Sequence, residues 1–254
     1  MEKHIQRFIE MINASKNIVF FGGAGVSTES GIPDFRSPDG LYNQKELRTT
    51  GYEPEYLLSK TCLYHEPKAF YDFYKKKMDC RKYEPNVTHM ALAQLEREGK
   101  LSAVVTQNID GLHQKAGSKN VIEIHGTTKR NYCCKCHREY DENAIFDSKD
   151  RIPKCVCGGM IRPDITLYGE LLPKKEVEEA ALAIGSADML IIGGTSLSVF
   201  PAANLVSYFN GESFIIINKG NFNTYRKPDL IIENSLGSVF SHLWKEKLII
   251  KIKH

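Results

Sequence analysis

Residues 17–28 read Asn17-Ile-Val-Phe-Phe-Gly-Gly-Ala-Gly-Val-Ser-Thr28. The run from Asn17 to Phe21 predicts a short strand buried on both faces, because its apolar residues are continuous rather than alternating. It passes directly into Gly22-Gly-Ala-Gly25, with Ser27, Thr28 and Ser30 close behind. Glycines at a strand end let backbone N–H groups approach a pyrophosphate, and a helix starting there favours the negative charge. The match to a Gly-x-Gly-x-x-Gly turn is incomplete. Thr28 holds the third glycine position, and no acidic residue stands plainly about 20 positions on to hold a ribose. Alone, the segment reads either as a nucleotide-binding turn or as a tight structural one.

Outward from this segment, strands alternate with helices. Apolar residues at 5, 8, 9 and 12 predict a helix before it. Downstream, strands are expected at 102–106, 121–124, 189–192, 214–217 and 230–232, with Ile165 to Tyr168 leading out of a cysteine-rich segment. Helices are expected at 69–78, 88–98, 173–184, from Ala202, and from Leu236 to Trp244. Gly99 is placed to end one of them and Pro173 to start another. The alternation predicts an α/β fold: a Rossmann-like parallel sheet with helices on both faces. Ligands of such sheets bind beyond the carboxyl ends of the strands. Gly193-Gly-Thr-Ser196 and Asn218 each close a strand, so Thr195, Ser196 and Asn218 can meet the glycine turn at one crevice and hydrogen-bond ribose or adenine. Two stretches break the alternation. One is 37–82, rich in Tyr, Lys and Glu and punctuated by Pro38, Pro54 and Pro67; the other is the cysteine segment up to Arg162. Both are expected to leave the sheet and form a smaller lobe. Lys75-Lys-Lys77 reads as the solvated face of a helix.

The chain has 254 residues, with 34 basic and 31 acidic side chains and a net charge of +3. That length buries a core without staples. Hydrophobic residues at 42% and charged residues at 26% exclude a disordered chain. A charge of +3 gives no ground for a nucleic-acid partner. No apolar run reaches the roughly 18 residues of a membrane span, and the first residues lack the apolar stretch of a signal peptide. A soluble, cytoplasmic, monomeric protein is expected. Five of the seven cysteines lie between 133 and 157, which argues for metal rather than a disulfide framework. Cys62 and Cys80 read as ordinary semi-buried residues.

Cys133 and Cys136 form a Cys-x-x-Cys knuckle; Cys155 and Cys157 form a tighter one, with Gly158 and Gly159 supplying turn freedom. Four thiolates suit a tetrahedral Zn²⁺ and leave no open position, so the ion is expected to be structural. Cys134 and His137 are possible substitutes among the ligands. Gln107, Asn108 and Asp110 cluster at another strand end, a costly choice for a core and a natural one for a site. His125 follows the strand 121–124 and precedes Gly126. That place suits a general base, and equally a satisfied structural histidine. His113 reads as structural.

Gly23-Ala-Gly-Val-Ser-Thr-Glu-Ser-Gly-Ile-Pro-Asp-Phe-Arg36, Thr106-Gln-Asn-Ile-Asp110, His125-Gly126, the four cysteines and Gly194-Thr-Ser196 occur in that order. Over Lys16 to Leu243 the chain resembles the sirtuins, NAD-dependent protein lysine deacylases. The resemblance implies an NAD-binding domain from 1–36, 83–126 and 163–254, and a small domain from a helical insertion, 37–82, and a zinc module, 127–162. It implies NAD as co-substrate and structural Zn²⁺ on Cys133, Cys136, Cys155 and Cys157. Ala24, Thr28 and Arg36 are then expected around the phosphates and the nicotinamide-side ribose, with Phe35 covering the nicotinamide site. Gln107 is expected on ribose, and Asn108, Ile109 and Asp110 around the nicotinamide, where Asp110 accepts from the carboxamide. Thr195, Ser196, Asn218 and Leu236 are expected on the adenosine half. His125 is the implied general base, with Asn108 and Asp110 completing the catalytic set.

The implied reaction moves the acyl group of an acyl-lysine onto ADP-ribose, releasing nicotinamide and free lysine, without hydride transfer. An acetylated peptide is expected to bind as an extended strand between Tyr168-Gly-Glu-Leu171 and Leu197-Ser-Val-Phe200. Tyr168 stands where many relatives have Phe. Sirtuins that prefer acidic acyl groups carry a Tyr-x-x-Arg pair; the similar stretch here, Tyr74-Lys-Lys-Lys77, lacks the arginine fork. Uncharged acyl groups, acetyl first, are therefore expected. Two alternatives share the cleft: an NAD-dependent mono-ADP-ribosyltransferase, and a non-catalytic NAD or ADP-ribose binding module. The set Asn108, Asp110 and His125 favours deacylation.

Overall fold

The computed structural model describes residues 2–35, 37, 40–43, 51–224 and 226–243. Arg36, Trp244 and residues 44–50 lie outside the described residues. Helix α1 (Glu2–Ala14) turns Ile5, Phe8, Ile9 and Ile12 inward, as the helical spacing requires. Strand β1 (Ile18–Gly22) is buried at every residue. Two 3-10 turns, Ala24–Val26 and Thr28–Ser30, then take the place of the helix expected after the glycines. The amide N–H groups of Ser30 and Ile32 both bond to the Ser27 carbonyl, Gly31 turns left-handed at φ +92°, and Pro33 cannot continue a helix. Among the described residues, no α-helix therefore starts in this loop.

The chain continues through α2 (Pro54–Leu57), α3 (Lys60–His65), α4 (Pro67–Lys77), α5 (Val87–Arg97), β2 (Leu101–Thr106), α6 (Leu112–Lys115) and β3 (Val121–Glu123). Then come β4 (Gly126–Cys133), β5 (Glu139–Asp141), α7 (Asn143–Phe146), β6 (Ile161–Ile165), α8 (Lys174–Ser186), β7 (Met189–Gly193), β8 (Ser213–Ile217), β9 (Leu230–Ile232) and α9 (236–243). The helix expected from Ala202 is a 3-10 helix, Ala202–Tyr208, packed on α8. On the stretch leading out of the cysteine segment, strand β6 ends at Ile165 and Tyr168 makes an isolated parallel bridge with Ser59.

Six strands form one parallel sheet in the order β3-β2-β1-β7-β8-β9. Period-2 alternation sends Ile18 and Phe20 to the face covered by α1, α5 and α9, and Val19 and Phe21 to the face covered by α8 and the 202–208 helix. The strand order reverses between β1 and β7, where Gly22 lies in register with Gly193. That switch point is where the crevice of such a sheet opens.

A second, antiparallel sheet, β5-β4-β6, carries the cysteines. A third apolar cluster joins it to α4: Phe70, Tyr71 and Tyr74 pack with Cys133, Cys155 and Ile161. Tyr74 stacks between Phe70 and Phe146 at centroid distances of 5.6 and 5.5 Å. The Tyr71 hydroxyl donates to the Ile161 carbonyl at 2.6 Å. Lys75 corrects the solvated-face reading. Its ammonium donates to the carbonyls of Ser148 and Asp150, tying α4 to the cysteine segment, while Lys76 is exposed. Cys62 is wholly buried rather than semi-buried, and burial pushes its thiol up to about 11.

His113 is structural, as expected. It lies in the core against His89 of α5, with ring centroids 4.7 Å apart. Burial lowers His89 from 6.5 to about 4 and His113 well below 6.5. Both are neutral in the fold, whereas the unfolded chain takes up protons near 6.5. Stability is therefore fully present above that pH and falls as pH drops toward 4, by ~1.4 kcal/mol per pH unit for each histidine. Urea midpoints at pH 7.5 and 5.5 check this; equal midpoints contradict it.

Candidate active site

The carboxyl ends of β1, β2, β3, β7 and β8 bring the expected polar residues to one edge of the parallel sheet. The glycine loop closes directly onto the end of β7. The Gly25 amide donates to the Gly194 carbonyl at 2.9 Å, and a Cβ on Gly25 would lie 2.7 Å from the Gly194 Cα. Gly194 itself sits at φ +61°. Two backbones meet here because neither residue carries a side chain. Glu29, in the second 3-10 turn, accepts the Gly237 amide of α9 at 2.7 Å, which fixes the loop from its other side.

Beneath the loop lies a hydrogen-bonded trio. The Ser27 hydroxyl donates to Asp110 Oδ2 at 2.6 Å, and the Asn108 amide donates to Ser27 Oγ at 3.1 Å. Asp110 Oδ1 accepts the Leu112 amide at 2.9 Å. Burial pushes the Asp110 carboxyl above its usual range, while the Ser27 and Leu112 donors pull the other way. Ser27 was visible in the sequence only as a residue behind the glycines. Its role was not legible, because its partner Asp110 is 83 positions away.

Gln107 links three strands. Its amide donates to the Gly22 carbonyl at 2.9 Å, its side chain to Thr195 Oγ1 at 3.2 Å, and its carbonyl contacts His125 Nδ1 at 2.9 Å. A carbonyl only accepts, so Nδ1 carries the imidazole proton and Nε2 holds the lone pair. Burial lowers the His125 pKa below 6.5, with the Gln107 bond opposing. Near neutral pH the ring is therefore an unprotonated base with a fixed tautomer. The His125 carbonyl accepts the Thr166 amide at 2.8 Å.

The remaining expected residues fall around this centre. Ala24 is half-buried, and the exposed Thr28 donates to the Gly25 carbonyl at 3.0 Å. Phe35 sits edge-on to Tyr42 at 5.3 Å, at the border of the third apolar cluster. The Ile109 carbonyl accepts both the amide and the hydroxyl of Thr128. Thr195 is buried and Ser196 exposed, and the Asn218 side chain donates to the Gly220 carbonyl at 2.9 Å. Leu236 is buried in the core next to Gly193, under the end of β7.

In the second sheet, the sulfurs of Cys133, Cys136, Cys155 and Cys157 all lie within 4.8 Å of one another. Cys133 to Cys157 is 3.5 Å and Cys136 to Cys155 is 3.6 Å. Those separations are far longer than a disulfide, and close to the ~3.8 Å between ligands of a tetrahedral zinc with Zn–S near 2.3 Å. Cys134 and His137 stand outside the cluster. A Cβ on Gly159 would come 2.6 Å from Cys133 Sγ, so the tight second knuckle depends on that glycine. Donors from the Cys157 backbone and the Tyr140 hydroxyl hold the Cys155 thiol at about 6, near the thiolate that a metal needs. The set fits structural Zn²⁺.

Residues 23–201 match the family model described as the Sir2 family. The chain belongs to the Sir2 family. Among its Sir2 relatives, an NAD-dependent protein deacetylase of Clostridium perfringens is 53% identical over 241 residues, covering 94% of this chain and 98% of that one. One of Clostridium tetani is 50% identical over 238 residues, covering 93% and 96%. A solved Sir2 complex with a p53 peptide and NAD⁺ superposes with a TM-score of 0.84 at 34% identity, covering 96% of this chain and 99% of that one. A Sir2 structure bound to an acetylated peptide gives 0.85 at 33% identity, again covering 96% and 99%.

Proposed function

We propose that this Sir2 chain is an NAD-dependent protein lysine deacetylase, which moves acetyl from acetyl-lysine to ADP-ribose and releases nicotinamide and free lysine. The observation that carries the reading is His125, a neutral imidazole with Nδ1 tied to the Gln107 carbonyl and Nε2 left to take a proton. NAD supplies the leaving nicotinamide and the ribose that receives the acetyl group. Ala24, Thr28, Arg36 and Gln107 hold its phosphates and the nearer ribose. Thr195, Ser196 and Asn218 hold the adenosine half, over a floor supported by Leu236. Phe35 excludes water from the nicotinamide site, and Asn108, Ile109 and Asp110 line it, with Ser27 fixing the Asp110 carboxyl. Residues 1–36, 83–126 and 163–254 form the NAD-binding domain; 37–82 and 127–162 form the small domain, a division supported by the third cluster, which also takes in Ile165 and Leu167 from across the boundary.

The peptide binds as an added strand between 168–171 and 197–200. The Tyr168 amide and carbonyl are already engaged by Leu58 and Lys60, so pairing falls to Gly169 through Leu171, where Leu171 is 92% exposed. Tyr74 is buried between two aromatic rings and residue 77 is Lys, which supports a preference for uncharged acyl groups. Among the described residues no helix is long and apolar enough to cross a membrane. All seven cysteines are unpaired, which supports a reducing, cytoplasmic setting. The enzyme acts as a monomer on protein substrates and needs no nucleic acid.

The test is to incubate the protein with NAD and an acetyl-lysine peptide and follow both by mass spectrometry. Loss of the acetyl mass with matching nicotinamide and acetyl-ADP-ribose is expected, and a succinyl peptide should turn over at least ~10-fold more slowly, a gap of ~1.4 kcal/mol. ADP-ribose mass added to the peptide supports the transferase alternative instead. Binding of NAD without nicotinamide release supports the binding-module one.

A further inference from the structure

The loop carrying the proposed peptide edge hangs from an ion pair whose arginine is buried and whose glutamate is half-buried. Arg162, on β6, is 6% exposed, and its guanidinium grips Glu170 through both ends, Nη1 to Oε1 at 2.8 Å and Nη2 to Oε2 at 3.0 Å. Arg162 also donates to the carbonyls of Pro163 and Ile165, and its guanidinium lies over the Tyr132 ring at 5.5 Å. Glu170 Oε2 accepts the Leu167 amide at 3.0 Å, and the Glu170 amide donates to the Leu167 carbonyl at 2.9 Å. The start of the same loop is fixed by Thr166 on the His125 carbonyl. A cavity of about 510 Å³ opens beside the pair, bordered by Arg162 and Glu170 as well as by Gly169 and Leu171. Gly169 turns left-handed at φ +85° between the two fixed points.

Buried ion pairs contribute little net stability against an apolar replacement, because desolvation offsets the attraction; their use is orientation. An arginine fork on a carboxylate sets both distance and plane. From this geometry we infer that Arg162 and Glu170 are positioning residues for the acyl-peptide, a role that rests on the deacetylase reading above. The pair closes the Leu167–Glu170 turn and so sets where Gly169 and Leu171 present their backbone groups to the peptide. Neither residue belongs to the set assigned above to NAD or to proton transfer.

The experiment compares the unaltered full chain with Glu170→Ala and Glu170→Gln. It measures peptide KM, NAD KM and kcat, the Kd of a fluorescein-labelled acetyl-lysine peptide by anisotropy, and Tm and zinc content. Glu170→Ala is expected to raise peptide KM and Kd ~10-fold or more, with kcat at saturating peptide within ~3-fold and NAD KM within ~2-fold. Glu170→Gln should rise less, because its carbonyl still accepts the Leu167 amide. If the alanine variant does not fold, the glutamine variant and Arg162→Lys, which keeps charge but loses the fork, carry the same comparison. Unchanged peptide KM and Kd in folded variants overturn the inference, as does a loss confined to kcat that tracks Tm. An unaltered chain that binds the peptide without turnover overturns the deacetylase reading instead, and the anisotropy comparison still decides the positioning role.

Discussion

His125→Ala lowers kcat by ~10²–10⁴, the usual contribution of a positioned general base, and leaves NAD affinity within ~3-fold. The expectation follows from how the ring is held. Its Nδ1 proton is committed to the Gln107 carbonyl, so Nε2 alone can accept a proton, and burial keeps the ring neutral. Alanine removes the lone pair without disturbing the glycine loop or the Ser27–Asp110 pair on the other strands. Product formation by mass spectrometry and NAD titration by calorimetry separate the two effects; a variant with near-normal turnover removes the base assignment. The pH dependence carries the same sign. The active form is the neutral one and its folded pKa is depressed, so kcat/KM should hold from pH 8 down to 6.5 and fall only below that. An acid limb centred above 6.5 contradicts the burial argument.

Stripping zinc is expected to unfold the small lobe and stop turnover. Structural zinc in a four-cysteine site contributes an apparent ~10–16 kcal/mol, as much as the ~5–15 kcal/mol that holds a typical domain together. Damage should spread beyond the two knuckles. Cys133 and Cys155 belong to the same apolar cluster as Phe70, Tyr71 and Tyr74, so α4 loses its floor. The six-stranded sheet has its own two cores and should keep its protected amides. Hydrogen exchange before and after chelation, with zinc assayed on the same sample, reads this directly. Turnover surviving verified zinc loss refutes the role, as does uniform loss of protection across β1, β2 and β7.

The parallel sheet was legible because its strands are apolar without alternation, which only burial on both faces explains; Ile18 to Phe21 and Met189 to Ile192 meet that condition. The cysteines were legible through their spacing, and His125 and Asp110 through the cost of placing polar groups at buried strand ends. What stayed hidden depends on contacts between distant residues. Lys75 looked solvated beside two other lysines, yet it reaches carbonyls more than 70 positions away. Ser27 and the Arg162–Glu170 pair gained their meaning only when the fold supplied their partners. The second 3-10 turn, Thr28–Ser30, closes on the Ser27 carbonyl just ahead of Gly31 and Pro33, a local effect that the glycine pattern did not display.

The hydrogen bond from Tyr71 to Ile161 spans 90 positions of sequence, and the Tyr74–Phe146 stack beside it spans a shorter gap of the same kind. A ribosome adding about 5–20 residues per second needs ~5–18 s to make the intervening chain. Through that interval Phe70, Tyr71 and Tyr74 have emerged while the strand and the cysteines that cover them have not. The nascent chain thus carries an uncovered aromatic helix for seconds. Cys157, the last of the four sulfur ligands, is made near the end of that interval, so the complete site for zinc cannot form before it.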